Sequence, residues 1–135
     1  MKLYTSNYKR CGHNPLAIGI SFIVPEWFTG RTESSLAPTW EMLAQYKDGS
    51  LTQQGYTDWY TFKLNQYHEA HRKNIPKLPD GSIFLCYENP DEFCHRHILA
   101  DWIQKNCGIF VTEWKTEEEL KEEEQNKVVD NMIGF

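Results

Sequence analysis

Four residues with chemically active side chains lie in one short stretch of the chain. Glu88 follows an apolar run, and Cys94, His95 and Arg96 come soon after it. A carboxylate can act as a nucleophile or general base, an ionised thiol as a nucleophile, and an imidazole as a proton carrier. An arginine can bind an anion or stabilise a neighbouring thiolate. This stretch is therefore the first candidate for a functional site.

The residues around this stretch predict a strand, a tight turn and a helix. Residues 83–87 form a nearly continuous apolar run, which is typical of a strand buried on both faces. Asn89 suits a helix N-cap, Pro90 the first helical position and Glu92 the third. The predicted helix thus begins near Pro90 and carries the thiol, the imidazole and the guanidinium in its first two turns.

A helix N-terminus favours both a thiolate and a bound anion, because its first N–H groups have no partner within the helix. The same spacing has a simpler explanation. Asp91 and His95, and Glu92 and Arg96, are i,i+4 pairs that could merely support a solvated helix. Spacing alone leaves both interpretations open.

The stretch resembles the signature of the family called domain of unknown function 488. In that signature a strand ends in Cys-x-Glu, a turn containing proline follows, and Cys-His-Arg opens a helix. Cys86, Glu88, Cys94, His95 and Arg96 all match it. Weaker similarity extends over most of the chain, through residues 4–6, 25–28 and 36–40. The resemblance implies a fold and a site at this junction, and it implies no particular reaction.

One segment departs from the pattern of that family. Many members carry Asp-x-Arg at the end of the second strand, where this chain has Phe22-Ile23-Val24-Pro25 and a later Arg31. No role for that pair is carried over.

Composition and charge limit the class of protein. The chain has 135 residues, 40% of them hydrophobic and 24% charged, which fits one globular domain. It shows no apolar run long enough for a signal peptide or a membrane span, so its four cysteines are expected to be reduced in a cytoplasm. Residues 116–135 hold seven acids and two bases, whereas residues 1–115 hold twelve of each. A neutral body without a basic stripe argues against general nucleic-acid binding.

The rest of the chain alternates strand and helix patterns. Strands are expected near residues 2–6, 16–24 and 109–114, and helices near residues 38–46, 57–73 with Thr57 as its cap, and 90–106 before a stop at Gly108. The predicted fold is a single α/β domain over residues 1–115. Its sheet is mainly parallel and Rossmann-like, with about four or more strands and helices on both faces.

Residues 116–135 are predicted to form an acidic C-terminal helix, opened by a capping box at Thr116 and Glu119. This helix is expected to pack on the domain or extend from it. Its apolar end, which includes Val128, Met132, Ile133 and Phe135, could contact a partner or a second copy.

Parallel strands place ligands beyond their carboxyl ends, so loops after different strands are expected to converge there. The candidate ligand-binding residues in those loops and at the helix start are Thr5, Ser6, Asn7, Arg10, Trp27, Arg31, Tyr87 and Arg96. They predict binding of an anionic small molecule, a nucleotide-like or other phosphorylated compound. The arginines would hold negative charge, Trp27 or Tyr87 would stack a base, and Glu88 would accept a ribose hydroxyl. A Gly-rich phosphate motif is absent from the sequence.

Two other hypotheses stay open. In the first, the protein is an enzyme: Glu88 is a nucleophile or base toward an N-glycosidic bond with His95 as acid or base, or Cys94 is the nucleophile. In the second, Cys86 and Cys94 form a disulfide or join Cys11 or His13 at a metal. Residues His68 and His71 are three apart rather than the four of a zinc-protease helix. That spacing argues against a zinc site at these histidines, and apart from the open cysteine alternative we expect no metal and no cofactor.

Overall fold

Five short strands form one sheet in the order β3-β2-β4-β1-β5 in the computed structural model, which describes residues 1–132. The strands are β1 Leu3–Asn7, β2 Ala17–Gly19, β3 Arg31–Thr32, β4 Ile83–Cys86 and β5 Val111–Glu113. Each neighbouring pair is parallel. The predicted α/β class and parallel sheet are therefore confirmed.

Six α-helices flank the sheet within the described residues. They are α1 Tyr8–Cys11, α2 Trp40–Lys47, α3 Gln53–Gln66, α4 His68–Asn74, α5 His95–Cys107 and α6 Glu117–Met132. Two short 3₁₀ helices, Ser34–Leu36 and Ile75–Lys77, lie in the connections. Within residues 1–132, every helix is too short or too polar to cross a lipid bilayer.

Both faces of the sheet are covered by apolar side chains. Phe84 of β4 packs in the larger cluster with residues of α2, α3 and α5. Its neighbours Ile83 and Leu85 pack in the smaller cluster with Tyr8 and Cys11 of α1. This alternation follows from the two-residue period of a strand, and it explains why β4 is apolar at every position.

Several predicted boundaries differ from the structure. The second strand ends at Gly19 rather than near residue 24, and the carbonyls of Ile20 and Ile23 in the following loop bond to His95 and Tyr87. The predicted long helix is divided at Tyr67 into α3 and α4. Its cap is Thr52, whose hydroxyl accepts the Gly55 N–H, and Thr57 lies within the helix. The predicted cap at Thr57 is therefore wrong, because an apolar period locates a helix without marking the residue at which it begins.

The C-terminal segment follows the predicted start signal. The hydroxyl of Thr116 accepts the Glu119 N–H at 3.1 Å, and the Glu119 carboxylate accepts the Thr116 N–H at 3.2 Å. Helix α6 has no buried residue within the described part, where Val128 and Met132 are exposed. The predicted apolar residues Ile133 and Phe135 lie outside the described residues. A partner contact through this helix stays a prediction.

Candidate functional site

The site lies between the end of β4 and the start of α5. Helix α5 begins at His95 with Cys94 as its N-cap, several residues later than predicted. The expected capping residues close a turn instead: the Asn89 N–H donates to the Glu92 carboxylate at 3.2 Å, and the Glu92 N–H donates to the Asn89 carbonyl at 3.0 Å. This turn folds the chain back, so that Cys94 returns to the end of β4.

Three potential ligand atoms come together at this point. The sulfur atoms of Cys86 and Cys94 and a carboxylate oxygen of Glu88 all lie within 4.8 Å of one another. Both cysteines are buried and Glu88 is half-buried. These are the residues of the site that could hold a thiophilic metal, and they are equally suited to thiol chemistry.

The completely buried Arg96 donates hydrogen bonds to two residues of this cluster and to Glu113. Its Nε and Nη2 atoms donate to the two carboxylate oxygens of Glu113, at 2.8 and 3.3 Å. Its Nη1 atom donates to the Glu88 carbonyl at 2.7 Å and to the Cys86 sulfur at 3.0 Å. Burial alone would lower the pKa of Arg96, but the hydrogen bonds to Glu113 and the interactions with the sulfur atoms of Cys86 and Cys94 raise it overall. The guanidinium is a fixed internal cation, and this location favours a positioning role over direct ligand contact.

Electrostatics favour a thiolate at Cys94. A hydrogen bond from the Cys86 thiol lowers the pKa of Cys94 to about 4 against the cost of burial, with further help from His97 and Arg96. The shared hydrogen bond and burial raise the pKa of Cys86, which therefore stays a thiol. Interaction with Cys94 also raises the pKa of His97, whose buried Nε2 has no well-formed hydrogen bond among the described residues. The pair thus holds one nucleophilic sulfur and one protonated sulfur.

The His95 side chain contacts the loop after β2 and helix α3. Its Nε2 lies 2.7 Å from the Ile20 carbonyl, and its ring meets Tyr60 edge-on at 5.5 Å. Burial lowers the pKa of His95, and the bond to the carbonyl opposes that effect. A carbonyl only accepts, so the neutral ring carries its proton on Nε2. An acid or base role for His95 stays a prediction.

Three predicted residues of β1 lie at the same edge as interior supports. The Thr5 hydroxyl donates to Glu113 at 2.7 Å, and the Asn7 amide lies 3.4 Å from the Glu88 carbonyl. The Ser6 hydroxyl is buried with no hydrogen-bond partner among the described residues. The Thr5 and Asn7 side chains therefore hold Glu113 and the Glu88 main chain, and ligand contact by all three residues stays a prediction.

The remaining candidates are dispersed. Arg10 pairs with Glu119 of α6, and Trp27 stacks at 4.9 Å on His13. Arg31 lines a groove with residues that precede β2 and β4, which places it at the opposite, amino edge of the sheet. Of the predicted loop residues outside β1, Tyr87 lies beside Glu88, and its hydroxyl donates to the Ile23 carbonyl at 2.6 Å.

Two pockets border the cysteine pair on different sides. We call the first, of about 220 Å³, the carboxyl-edge pocket. It is lined by Ser21, Phe22, Ile23, Pro38, Trp40, Leu43, Cys86, Tyr87, Glu88 and His95. We call the second, of about 360 Å³, the α3–α5 pocket. It is lined by Thr57, Thr61, Phe93, Cys94, His97, Ile98, Asp101, Trp102 and Lys105.

Sequence reasoning missed four residues that shape the site. Glu113 ends β5 and holds Arg96, and His97 stands beside Cys94. Phe22 and Trp40, 6.4 Å apart, supply the aromatic wall that was expected from Trp27. A carboxylate at a predicted strand end was a usable signal for Glu113. The two aromatic residues gave no such signal, because one was assigned to a strand and the other to helix packing.

This geometry defines a class of protein, namely parallel α/β domains with a site at the carboxyl edge of the sheet. The site contains thiols, a carboxylate and an arginine. A family model described as DUF488-N3a, "Active DUF488-N3 subclade", matches residues 24–107, well over half of the chain. The chain therefore belongs to this subclade of the domain-of-unknown-function 488 family, which confirms the resemblance expected from the sequence. Curated proteins and solved structures gave no match.

Proposed function

We propose that the carboxyl-edge pocket binds a nucleotide-like small molecule through its base and sugar. The observation that carries this proposal is the combination of an aromatic wall with one carboxylate. Phe22, Trp40 and Tyr87 line the pocket, and Glu88 lies among them. Aromatic faces stack on any base, and a carboxylate can accept a ribose hydroxyl.

The size and charge of the pocket limit the kinds of ligand that it can bind. Pockets for small molecules usually span about 300–1000 Å³, so a pocket of 220 Å³ fits one nucleoside rather than a dinucleotide. Its described lining contains no lysine or arginine, and Arg96 is engaged internally. A phosphate, where the ligand carries one, would therefore lie outside the pocket. The four free cysteines also fit the proposed cytoplasmic location.

The test is calorimetric titration of nucleosides, nucleotides and sugar phosphates against wild type, Trp40→Ala and Phe62→Ala. Trp40 and Phe62 are equally exposed, at 61% and 63%, but only Trp40 borders the pocket. Loss of one stacking contact costs about 1–3 kcal/mol, so the Kd should rise roughly 5- to 150-fold in Trp40→Ala alone. Binding of sugar phosphates without nucleosides, or equal losses in both variants, would contradict the proposal.

An enzymatic role is the second candidate, because Glu88 lies in the same pocket with its main-chain carbonyl fixed by Arg96. In this version Glu88 is the nucleophile or base in cleavage or transfer at an N-glycosidic bond. The description of the subclade as active is consistent with it. Incubation with nucleosides and chromatography for free base tests it: Glu88→Gln should retain binding and lose turnover. Turnover that persists in Glu88→Gln and disappears in Cys94→Ser would favour a Cys94-dependent enzyme instead.

A further inference from the structure

The cysteine pair forms a second candidate centre beside the proposed nucleoside pocket. Cys86 borders the carboxyl-edge pocket, whereas Cys94 opens to the α3–α5 pocket. We propose that Cys94 and Cys86 are a reversible redox pair, in which a small hydroperoxide oxidises Cys94 and Cys86 then closes a disulfide. This activity does not depend on nucleoside binding.

The positions of the two sulfurs support a disulfide. Cys86 is the last residue of β4 and Cys94 is the N-cap of α5, so each stands at the end of a regular element. Their sulfur atoms lie within 4.8 Å of each other. A disulfide needs the sulfurs to approach to about 2.05 Å, and rotation of the two side chains shortens their separation.

The surroundings of Cys94 favour its thiolate form, which is the nucleophile in the proposed reaction. It stands at a helix N-terminus, where peptide N–H groups favour negative charge. The buried guanidinium of Arg96 adds a fixed positive charge next to Cys86. His97 completes the arrangement, because it lines the α3–α5 pocket together with Cys94 and its buried Nε2 has no hydrogen-bond partner among the described residues. A protonated His97 can deliver a proton to a departing hydroxide.

The limited access to the Cys94 sulfur favours a small oxidant. Cys94 is only 4% exposed and is reached through the α3–α5 pocket. A protein disulfide would need to place its own backbone against this sulfur, whereas hydrogen peroxide can enter a pocket of about 360 Å³. The pocket therefore favours a hydroperoxide over thiol–disulfide exchange with another protein.

The chemistry balances with the groups present. The Cys94 thiolate attacks one oxygen of hydrogen peroxide, the O–O bond breaks, and hydroxide leaves as water with the proton of His97. Cys94 is now a sulfenic acid. The Cys86 sulfur attacks the Cys94 sulfur, its S–H proton joins the departing hydroxide, and a second water forms with the disulfide. Two molecules of an external thiol reduce the disulfide and become oxidised to their own disulfide.

The experiment treats reduced, folded protein with one equivalent of hydrogen peroxide, blocks the remaining thiols with N-ethylmaleimide under denaturing conditions, and maps peptides by mass spectrometry. Wild type should lose two hydrogen atoms, yield a peptide joining Cys86 to Cys94, and carry maleimide on Cys11 and Cys107. Dithiothreitol should reverse the loss. Cys107→Ser is the matched control, and it should form the same disulfide.

Two variants separate the roles of the sulfurs. Cys86→Ser should accumulate a dimedone-reactive sulfenic acid on Cys94, and Cys94→Ser should give neither disulfide nor adduct at Cys86. Circular dichroism checks that both variants fold. The peptide map of the wild-type protein tests the disulfide even if a variant does not fold. Oxidation of Cys107 before the pair would overturn the proposal. So would equimolar zinc that survives dialysis and blocks both thiols, since the cluster would then be a metal site.

Discussion

Two arginine–glutamate pairs of this protein have the same chemistry in different surroundings. Arg96 is completely buried against Glu113, whose side chain is 21% exposed. Arg10 pairs with Glu119 at the surface, where both side chains keep about a third of their exposure, 30% and 39%. Water and salt screen the surface pair, whereas the buried pair interacts strongly but would leave an uncompensated charge if broken. The contrast indicates that only the buried pair can support the cysteine site.

The largest effect is expected from Arg96→Met. The change removes the arginine partner of the Glu113 carboxylate, which keeps only the Thr5 hydroxyl and His97 Nδ1 at 3.9 Å, and it removes the donor to Cys86. Removing one partner of a buried pair typically costs about 3–5 kcal/mol of unfolding free energy. Urea unfolding followed by tryptophan fluorescence measures it. A loss below about 1 kcal/mol would show that this pair behaves like a surface pair.

The double variant Arg96→Met, Glu113→Gln sharpens the same point. If the single change is costly because a carboxylate is left uncompensated, neutralising Glu113 should recover about 1–2 kcal/mol in the same urea experiment. The amide that replaces this carboxylate can still accept a hydrogen bond from the Thr5 hydroxyl. A double variant as unstable as the sum of both single variants would instead indicate that the arginine contributes mainly through packing.

The next largest effect is expected on the pH dependence of Cys94 alkylation, which reports the ionisation of this thiol. Its pKa, lowered from 9.0 to about 4, predicts a pH-independent rate of iodoacetamide alkylation across neutral pH. Cys107 is the internal comparison, since burial raises its pKa and its rate should keep increasing with pH. Because the folded-state pKa is depressed, the stability that the thiolate contributes is present above 9.0 and is lost as the pH falls through about 4. A Cys94 rate that climbs through neutral pH would contradict this.

The smallest effect is expected from Arg10→Met. Its pair with Glu119 is surface-exposed, so the free energy of unfolding should change by no more than about 1 kcal/mol. The alkylation profile of Cys94 should stay that of wild type, because Arg10 belongs to a different pair. A large loss of stability would mean that the docking of α6 depends on this contact.

Much of the fold could be predicted because its signals are local. The apolar run predicted β4, Gly108 stops α5 in the left-handed conformation, and the Thr116 capping box opens α6. The exact start of α5 could not be predicted in this way. The Glu92 carboxylate accepts the Asn89 N–H as in a capping box, but the Glu92 N–H donates to the Asn89 main-chain carbonyl, and the pair closes a turn that precedes the helix. Local bonding of this kind satisfies backbone groups without committing the chain to a helix.

The sequence by itself determined that a carboxylate, two thiols and an arginine would gather near one strand end, because they are close in the chain. Only the tertiary structure decided what each one touches. The strand order places β5 beside β1, which brings Glu113 to Arg96 across the sheet edge and turns a predicted ligand-binding arginine into a buried internal cation. Strand order depends on packing between residues that are remote in sequence, and local residue patterns carry no record of it.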